Sequence, residues 1–410
     1  MEVISCRICQ SRNLQNIIDL GFHPPSDAFL TSEELKKPEI SHPLRVLLCD
    51  KCGLWQLDYV VDPEILYQRS YPYESSTTRT GRKHFHDMAK EICDKYETPK
   101  GSLAVDIGSN VGVLLQGFET VGMKTLGVDP AFDMARIANQ NGILTIADFF
   151  TRDLSKKIAK QYGKAHAITA TNVVAHINDI HNLVSGVKNL LAPTGVFVIE
   201  APYLVDLVQK NEYDTIYHEH LSYLSVKPLV GLFKSHDMEL IDAEKQNIHG
   251  GTMRYFIAHK GKYKVSPVIK KLIAAENKFG MYDINFLKKT FVKAVEKQRA
   301  DLVELLMKLK KEGARIVGVS APAKGNTLLN YCKIDNQYLD YISEKAEIKI
   351  GLHTPGTHIK IESDKRLMKD MPDYALILAW NFADEIMGNL KEFKKKNGRF
   401  IIPIPKPIII

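Results

Sequence analysis

A dense group of side chains able to transfer protons lies in the heptapeptide YHEHLSY at 217–223. Two imidazoles, a carboxylate and two phenols in so short a segment favour acid–base chemistry near neutral pH. Structural histidines and a metal site are the alternatives. A metal is less favoured, because the helical H-E-x-x-H spacing is absent and H-x-H turns both rings to one side only in a strand. In a helical turn, Tyr217 would instead lie near His220 by their i, i+3 spacing.

Four of the six cysteines form two Cys-x-x-Cys pairs near the start of the chain. Each pair closes a tight turn that can direct two thiolates at one ion, and two such turns complete a tetrahedral Zn²⁺ shell with no position open for water. The spacing therefore predicts a structural zinc site, with a redox or disordered role as the alternative. A nucleic-acid-binding zinc ribbon is less favoured, because basic and aromatic residues are not interleaved around the pairs. The predicted ligands are Cys6, Cys9, Cys49 and Cys52.

The stretch 103–129 has the layout of one β-α-β unit, with an apolar strand on either side of a helix-compatible run. Gly108, Ser109 and Gly112 allow the backbone to turn sharply after the first strand, and the helix that follows offers free N–H groups to an anion. Asp129 ends the second strand, where a carboxylate can hold two ribose hydroxyls. The spacing departs from the dinucleotide signature G-x-G-x-x-G and resembles motif I of methyltransferases that depend on S-adenosylmethionine (SAM). Other nucleotides and a merely structural turn remain alternatives.

Further polar residues are expected at the ends of the neighbouring strands. Repeated alternation of strands and helices predicts a mainly parallel, doubly wound α/β sheet, which binds ligands outside the carboxyl ends of its strands. The resemblance to motif I implies that Asp106 faces the methionine ammonium of SAM and that Asp148 receives the adenine amino group. The predicted cofactor-binding residues are Asp106, Gly108, Ser109, Asn110, Gly112, Asp129, Asp148 and Asn172.

Two basic residues beside glycine-rich turns are candidates for holding an anion. Arg254 ends the sequence HGGTMR, and Lys324 lies in the turn 318–325. A guanidinium or ammonium next to free backbone N–H groups suits a phosphate. An ordinary strand turn and a glycine turn that serves only packing are equally compatible with these two patterns.

Composition restricts the class of protein. The chain has 410 residues, of which 45% are hydrophobic and 25% charged, as is ordinary for globular proteins. Its net charge of +7 is modest, so a nucleic-acid partner is not expected, although an anionic substrate would be attracted. No segment approaches about 18 uninterrupted apolar residues, and the start lacks the pattern of an export signal. We therefore expect a cytoplasmic protein without membrane partners, and a monomer.

The motifs, taken together and in order, resemble those of the sugar C-methyltransferases of deoxysugar biosynthesis. The resemblance covers nearly the whole chain and is carried by the paired CxxC, DIGSNVG, NVVAHI, YHEHLSY, HGGTMR, APAKGNTLLNYC, GLHTPGTHI and LAWNF. It implies a zinc-binding module at 1–75, a SAM-dependent methyltransferase domain at 76–280 and a Rossmann-like substrate-binding domain at 281–410. The sugar would be held between these domains.

The resemblance also implies a reaction. A methyl group would move from SAM to a ring carbon, C-3′, beside the keto group of a nucleotide-linked 4-keto deoxysugar. Such a carbon becomes nucleophilic when a base removes its hydrogen and a donor stabilises the enolate oxygen. The implied catalytic residues are His220 as the base, with Tyr217 and Glu219.

The substrate-binding residues follow from the same resemblance. His176 and Tyr71 match family positions that line the sugar, and Arg254 and Lys324 are candidates for the diphosphate. One departure is Val111, where motif I of many relatives has an aspartate. A valine there would remove one polar contact to SAM. The alternative functions are an O- or N-methyltransferase acting on a sugar or other small molecule, and an RNA-binding methyltransferase with a zinc ribbon.

Overall fold

The computed structural model describes residues 1–67, 79–246 and 251–410. Within these ranges the chain forms three β-sheets. The strands, numbered along the chain, are β1 (Leu14–His23), β2 (His42–Cys49), β3 (Trp55–Leu57), β4 (Leu103–Ile107), β5 (Lys124–Val128), β6 (Thr145–Ile146), β7 (Ala165–Thr171), β8 (Leu191–Pro202), β9 (Ser222–Tyr223), β10 (Met238–Gln246), β11 (Thr252–His259), β12 (Ile316–Val319), β13 (Ile342–Glu344), β14 (Ile361–Ser363), β15 (Tyr374–Ile377), β16 (Arg399–Ile402) and β17 (Ile408–Ile409).

Helices alternate with the strands over most of the chain. In the described ranges none of them is both long enough and apolar enough to cross a membrane. The α-helices are α1 (Pro63–Tyr67), α2 (Arg79–Lys95), α3 (Val113–Thr120), α4 (Phe132–Gln140), α5 (Arg152–Tyr162), α6 (Ile180–Leu190), α7 (Leu204–Gln209), α8 (Val226–Lys234), α9 (Pro267–Phe279), α10 (Ile284–Leu287), α11 (Lys293–Lys311), α12 (Ala323–Cys332), α13 (Asp364–Asp370), α14 (Ala383–Asn389) and α15 (Lys391–Lys395).

The N-terminal sheet joins the cysteine-containing module to a segment from the middle of the chain. Its order is β1-β2-β3-β9, and all neighbouring strands are antiparallel. Strand β9 pairs with β3, so that Tyr223 lies opposite Trp55. The Trp55 side chain is fully buried, and its Nε1 atom donates to the carbonyl of Met281 at 3.1 Å. The segment 217–223 is therefore fixed against the module that carries the cysteines.

The central sheet is the doubly wound α/β sheet predicted from the sequence. Its order is β10-β11-β8-β7-β4-β5-β6. The five strands from β8 to the β6 edge are parallel, and β11 and β10 are added antiparallel beside β8. Every residue of β4 is buried, as expected of a strand covered on both faces. The connections reverse direction at β4, which lies between β5 and β7. A ligand crevice is expected at the carboxyl ends of these strands.

The C-terminal sheet is a second α/β sheet, with the order β14-β13-β12-β15-β16-β17. Only the last strand, β17, runs antiparallel to its neighbour. Strand β12 is buried throughout, and α12 begins shortly after it. The predicted fold class is thus confirmed. The domain boundaries at 75/76 and 280/281 stay predictions, and β9 extends the N-terminal sheet with residues from the central part of the chain.

A buried carboxylate fixes the chain on both sides of the segment 217–223. Glu276, on α9, is fully buried and accepts hydrogen bonds from the hydroxyls of Tyr203 at 2.9 Å and Tyr282 at 2.5 Å. It also accepts from the backbone N–H of Val226 at 2.7 Å, at the start of α8. Tyr203 directly follows β8 and Val226 closely follows β9, so one carboxylate holds the chain at the ends of both strands.

We expect Glu276→Ala to lower the free energy of unfolding by about 2 to 4 kcal/mol, because it leaves buried hydroxyl and amide donors without an acceptor. Chemical denaturation measures the loss. Glu304→Ala is the matched control, since Glu304 is an exposed glutamate on α11, and it should change stability by less than about 0.5 kcal/mol. Equal effects of the two substitutions would contradict the role given to Glu276.

Candidate active site and metal centre

The turn after β4 is built so that only glycine fits at two positions. Gly108 has a φ of 71°, and a Cβ atom there would lie 2.3 Å from Cγ2 of Val173. Gly112 has a φ of 83°, and its Cβ atom would lie 2.7 Å from Cγ2 of Ile143. A side chain at either position would be strained by the backbone and would collide with its neighbour. The chain therefore closes tightly at the start of α3, where the sequence places the cofactor.

Two buried carboxyl groups lie at the ends of β4 and β5. Asp129 accepts from the backbone N–H groups of Asn110 at 2.7 Å and Ala131 at 2.8 Å. Asp106 accepts from the Thr169 hydroxyl at 2.6 Å, and burial, together with the charge of Asp129, raises the pKa of Asp106 to about 7. Burial also raises the pKa of Asp129. A cation beside Asp106 would stabilise its charged form, which fits the predicted contact with the ammonium of SAM.

The other predicted cofactor residues surround the same strand ends. Ser109 is buried, and no partner for its Oγ atom is found among the described residues. Asn172 has a φ of 56°, and its N–H donates to the carbonyl of Glu200 at 2.7 Å. Asp148 is exposed beyond β6 and accepts from the N–H of Phe149 at 2.7 Å. The sheet thus brings Asn172 to the strand end next to that of Asp106, with Asp148 at the outer edge.

His220 lies in a tight turn, with its N–H donating to the Tyr217 carbonyl at 2.9 Å. The Nδ1 atom of His220 lies 2.7 Å from the carbonyl oxygen of Thr215. A carbonyl only accepts hydrogen bonds, so Nδ1 carries the proton and Nε2 keeps its lone pair. Burial lowers the pKa of His220 to about 4, and the positive charge of Lys324 acts in the same direction. The imidazole is therefore neutral at pH 7.

Two further aromatic rings lie against that of His220. The Tyr217 ring is centred 4.0 Å from it, as the predicted i, i+3 turn requires, and the His176 ring is centred 5.1 Å away. Burial holds the pKa of His176 well below its usual value. A cavity of about 20 Å³, room for roughly one water molecule, is lined by both His220 and Asn172. The ring cluster thus borders the predicted cofactor site. Tyr71 lies outside the described residues.

The two remaining members of the YHEH motif face other surroundings. His218 is fully buried against the N-terminal sheet, with Nε2 3.3 Å from the carbonyl of Pro43 and its ring against His42. Glu219 is also buried, and its pKa is raised to about 8 by burial and then by the negative charge of Asp27. His218 therefore packs against the N-terminal module, whereas the catalytic role of Glu219 stays a prediction.

The two predicted anion-binding residues differ in their surroundings. Arg254 is 1% exposed, and its guanidinium pairs with Glu200 at 2.9 Å and with Glu91 at 2.7 Å. Its positive charge is thus already matched inside the fold, and its role toward a diphosphate stays a prediction. Lys324 is half-buried near the start of α12, with Nζ 3.9 Å from the centroid of the Trp380 ring.

Three residues that act on the predicted site residues carry little or no sequence signal. Thr169 lies inside a strand, and Thr215 contributes only its backbone carbonyl. Asp27 comes from the proline-containing insert between the two cysteine pairs, far along the chain from Glu219. A polar residue in a turn-rich segment was the one hint available for Asp27, and the other two could be found only from their contacts.

The four cysteines predicted to bind zinc come together in one group. The Sγ atoms of Cys6 and Cys52 are 3.5 Å apart, as are those of Cys9 and Cys49, and all four lie within 4.8 Å of one another. Tetrahedral Zn–S bonds of about 2.3 Å would place sulfur atoms roughly 3.8 Å apart, so the group fits one Zn²⁺ ion. Four thiolates leave no open position, which makes the site structural.

The fold and these sites define a SAM-dependent methyltransferase with a zinc-binding module. Three family models match: a zinc binding domain over residues 6–67, a methyltransferase domain over 82–243, and a C-methyltransferase C-terminal domain over 247–405. C-methyltransferase NovU of Streptomyces niveus is 35% identical over 406 residues, which are 99% of this chain and 96% of that protein. The chain belongs to this family of C-methyltransferases, which confirms the predicted enzyme class, cofactor and metal.

Two solved structures resemble part of the chain at low identity. A SAM-dependent methyltransferase from Clostridium acetobutylicum is 16% identical with a TM-score of 0.36, and the match covers 44% of this chain and 92% of that one. The PH0226 protein from Pyrococcus horikoshii is 14% identical with a TM-score of 0.36, covering 47% and 97%.

We expect metal analysis to find about one zinc ion per chain. Cys49→Ser should lower both the zinc content and the stability, because it removes one of four ligands from a closed shell. Cys93→Ser is the control, since Cys93 lies outside the cluster, and it should retain the metal. Full zinc content in Cys49→Ser would contradict the assignment.

Proposed function

We propose that this enzyme methylates C-3′ of a nucleotide-linked 4-keto deoxysugar, after removal of the hydrogen beside the keto group. The observation that carries the proposal is the contact between the Nδ1 atom of His220 and the carbonyl of Thr215. The neutral ring therefore keeps its acceptor lone pair on Nε2, and His220 and Asn172 line the same small cavity. The similarity to NovU, a C-methyltransferase, supports carbon as the acceptor. Transfer to oxygen or nitrogen would need no enolate.

In the proposed reaction, His220 removes the hydrogen and Tyr217 assists. With a pKa near 4, the imidazole is fully neutral but a weak base, so the substrate hydrogen has to be made more acidic by a donor at the ketone oxygen. The Tyr217 ring is centred 4.0 Å from that of His220. Its hydroxyl is suited to donate to the developing enolate, and the ring to orient the imidazole. SAM, when bound, supplies the electrophilic methyl group.

The remaining predicted residues would hold the substrate. Burial raises the pKa of Glu219 and so favours the protonated carboxyl group, which can donate a hydrogen bond to a sugar oxygen. We assign Tyr71 and His176 to the lining of the sugar site. For the diphosphate, Lys324 is better suited than Arg254, because the Arg254 guanidinium already pairs with two carboxylates.

The proposed substrate site lies among the three domains, at 1–75, 76–280 and 281–410. Direct contacts between the N-terminal insert and the C-terminal part support this position. The Asn326 amide donates to the carbonyl of Ser26 at 2.6 Å, and the imidazole of His358 pairs with Glu39 at 2.9 Å. We further propose that the enzyme acts as a monomer in the cytoplasm, without nucleic-acid or membrane partners.

The direct test of the function is a panel of nucleotide-linked 4-keto deoxysugars incubated with methyl-labelled SAM. We expect NMR of the product to place the labelled methyl on a ring carbon next to the keto group. A methyl group on oxygen or nitrogen would overturn the proposal and establish the alternative chemistry.

For the cofactor, Asp129→Ala should weaken SAM binding by about 1 to 3 kcal/mol, because hydrogen bonds to the ribose are lost. Isothermal calorimetry measures the change. Asp133→Ala is the matched control: Asp133 is an exposed aspartate in the first turn of α4, four residues along the chain, and its loss should leave SAM affinity unchanged. Undiminished affinity in Asp129→Ala would remove Asp129 from the cofactor site.

For the base, His220→Asn should lower kcat by about 10²-fold or more while zinc and SAM binding are retained, because no other group is assigned to take the proton. Turnover of the keto sugar with labelled SAM measures the rate. His218→Asn is the control, since His218 faces the N-terminal sheet, and it should lower kcat much less.

Two results would contradict the assignment of His220. One is a wild-type rate in His220→Asn. The other is the absence of hydrogen loss from the methylated carbon, followed with substrate deuterated at that position. The pH profile gives a further check, because a base with a pKa near 4 should remain active well below pH 6.5.

A further inference from the structure

The turn that fixes the tautomer of His220 is short and buried. Tyr213–Thr215 form a single helical turn, and the side chains of Tyr213 and Asp214 are fully buried. The N–H and the hydroxyl of Thr215 both donate to the carbonyl of Glu212, at 3.1 and 2.7 Å. The carbonyl of Thr215 can therefore stay against the imidazole only while this turn stays in place.

Residues from the C-terminal part of the chain hold the turn on both sides. The Tyr213 hydroxyl donates to the side-chain oxygen of Gln298, on α11, at 2.7 Å. The Thr327 hydroxyl, on α12, donates to the carbonyl of Ile216 at 3.1 Å. Gln298 and Thr327 are themselves buried. Tyr213 and Ile216, which flank Asp214 and Thr215, are thus hydrogen-bonded to the C-terminal helices.

The centre of the turn has a third C-terminal partner. The Nε1 atom of Trp380, in the LAWNF motif, donates to Oδ2 of Asp214 at 2.6 Å. The Nζ atom of Lys324 lies 3.9 Å from the centroid of the Trp380 ring, and its positive charge also acts on Asp214. The indole of Trp380 therefore contacts the Lys324 ammonium with its ring and the buried Asp214 carboxylate with its N–H. None of the roles assigned so far uses this tryptophan.

We propose that Trp380 is a positioning residue for the His220 base, acting through Asp214 and the carbonyl of Thr215. The proposal rests on the proposed function of His220. Contact with a carbonyl selects the tautomer with the proton on Nδ1. Once the carbonyl moves away, the proton can reside on Nε2, and Nε2 can then no longer accept a proton from the substrate. Docking of the C-terminal domain thereby completes the active site.

NMR of protein labelled with ¹⁵N-histidine reads the tautomer directly and needs no substrate. The signals of His220 are identified by their loss in His220→Asn. In the wild type we expect a single tautomer with the proton on Nδ1. Trp380→Phe removes the indole N–H but keeps an aromatic ring beside Lys324, and it should give a mixture of the two tautomers.

The second tryptophan provides a matched control. Trp55 donates one indole hydrogen bond, to the carbonyl of Met281, so Trp55→Phe removes the same group while the backbone pairing of β3 with β9 remains. It should leave the tautomer of His220 as in the wild type. Asp214→Asn and Asp214→Leu form a second pair of similar size. The amide oxygen of Asn can still accept from Trp380, so only the Leu variant should mix the tautomers.

Kinetics give a second measurement. With a nucleotide-linked 4-keto deoxysugar that the wild type methylates, Trp380→Phe should lower kcat about 10-fold, since an imidazole in the wrong tautomer cannot act as the base. The affinity for SAM should not change. If Trp380→Phe loses zinc or SAM binding and so fails to fold, the Asp214 pair decides the question by the same NMR signals.

The results separate this inference from the proposed function. A single Nδ1–H tautomer in Trp380→Phe and in Asp214→Leu, with a wild-type kcat, would overturn the positioning role of Trp380. A wild-type rate in His220→Asn would instead overturn the proposed base. In that case a tautomer change in Trp380→Phe would still establish the link between Trp380 and the turn.

Discussion

The hydrogen bond from His220 to the carbonyl of Thr215 is the contact on which the proposed chemistry depends. It decides which ring nitrogen carries the proton, and it does so through an acceptor that cannot rotate away like a side chain. The carbonyl belongs to a buried turn that is held by α11, α12 and Trp380. On the other side of His220, strand β9 is paired to the N-terminal sheet. The orientation of one imidazole therefore depends on contacts with both the N-terminal sheet and the C-terminal part of the chain.

Burial favours the neutral form of each ionisable group in the candidate site. It raises the pKa of Asp106 and of Glu219 and lowers that of His220, so each of these groups is pushed toward its neutral form. For His220 the neutral form is the one that can act as a base, and for Glu219 it is the one that can donate a hydrogen bond. Asp106 differs, because the ammonium of SAM would restore its charge. A single physical cause thus shifts the pKa of three groups whose proposed tasks differ.

Local patterns in the sequence predicted a large part of this arrangement. The cysteine pairs were recognisable because ligand spacing within a tight turn is a local property, and the four sulfur atoms do meet. The glycines of the turn after β4 were recognisable because their positive φ is also a local requirement. Arg254 shows what such patterns leave out. Its glycine turn indicated an anion from outside, but the fold also pairs the guanidinium with Glu200 on β8 and Glu91 on α2.

The sequence by itself determined the alternation of strands and helices, the zinc ligands, the glycine turn after β4 and the group of ionisable residues at 217–223. Each of these depends on residue types and spacings within one short segment, which a linear chain displays directly. Only the tertiary structure decided that His220 has its Nδ1 atom protonated, that His218 faces the N-terminal sheet, and that Asp27 acts on Glu219. These properties depend on burial and on hydrogen bonds between residues far apart in sequence. Tertiary packing decides which polar groups become neighbours, because residue patterns within one segment do not specify the distances between separate secondary-structure elements.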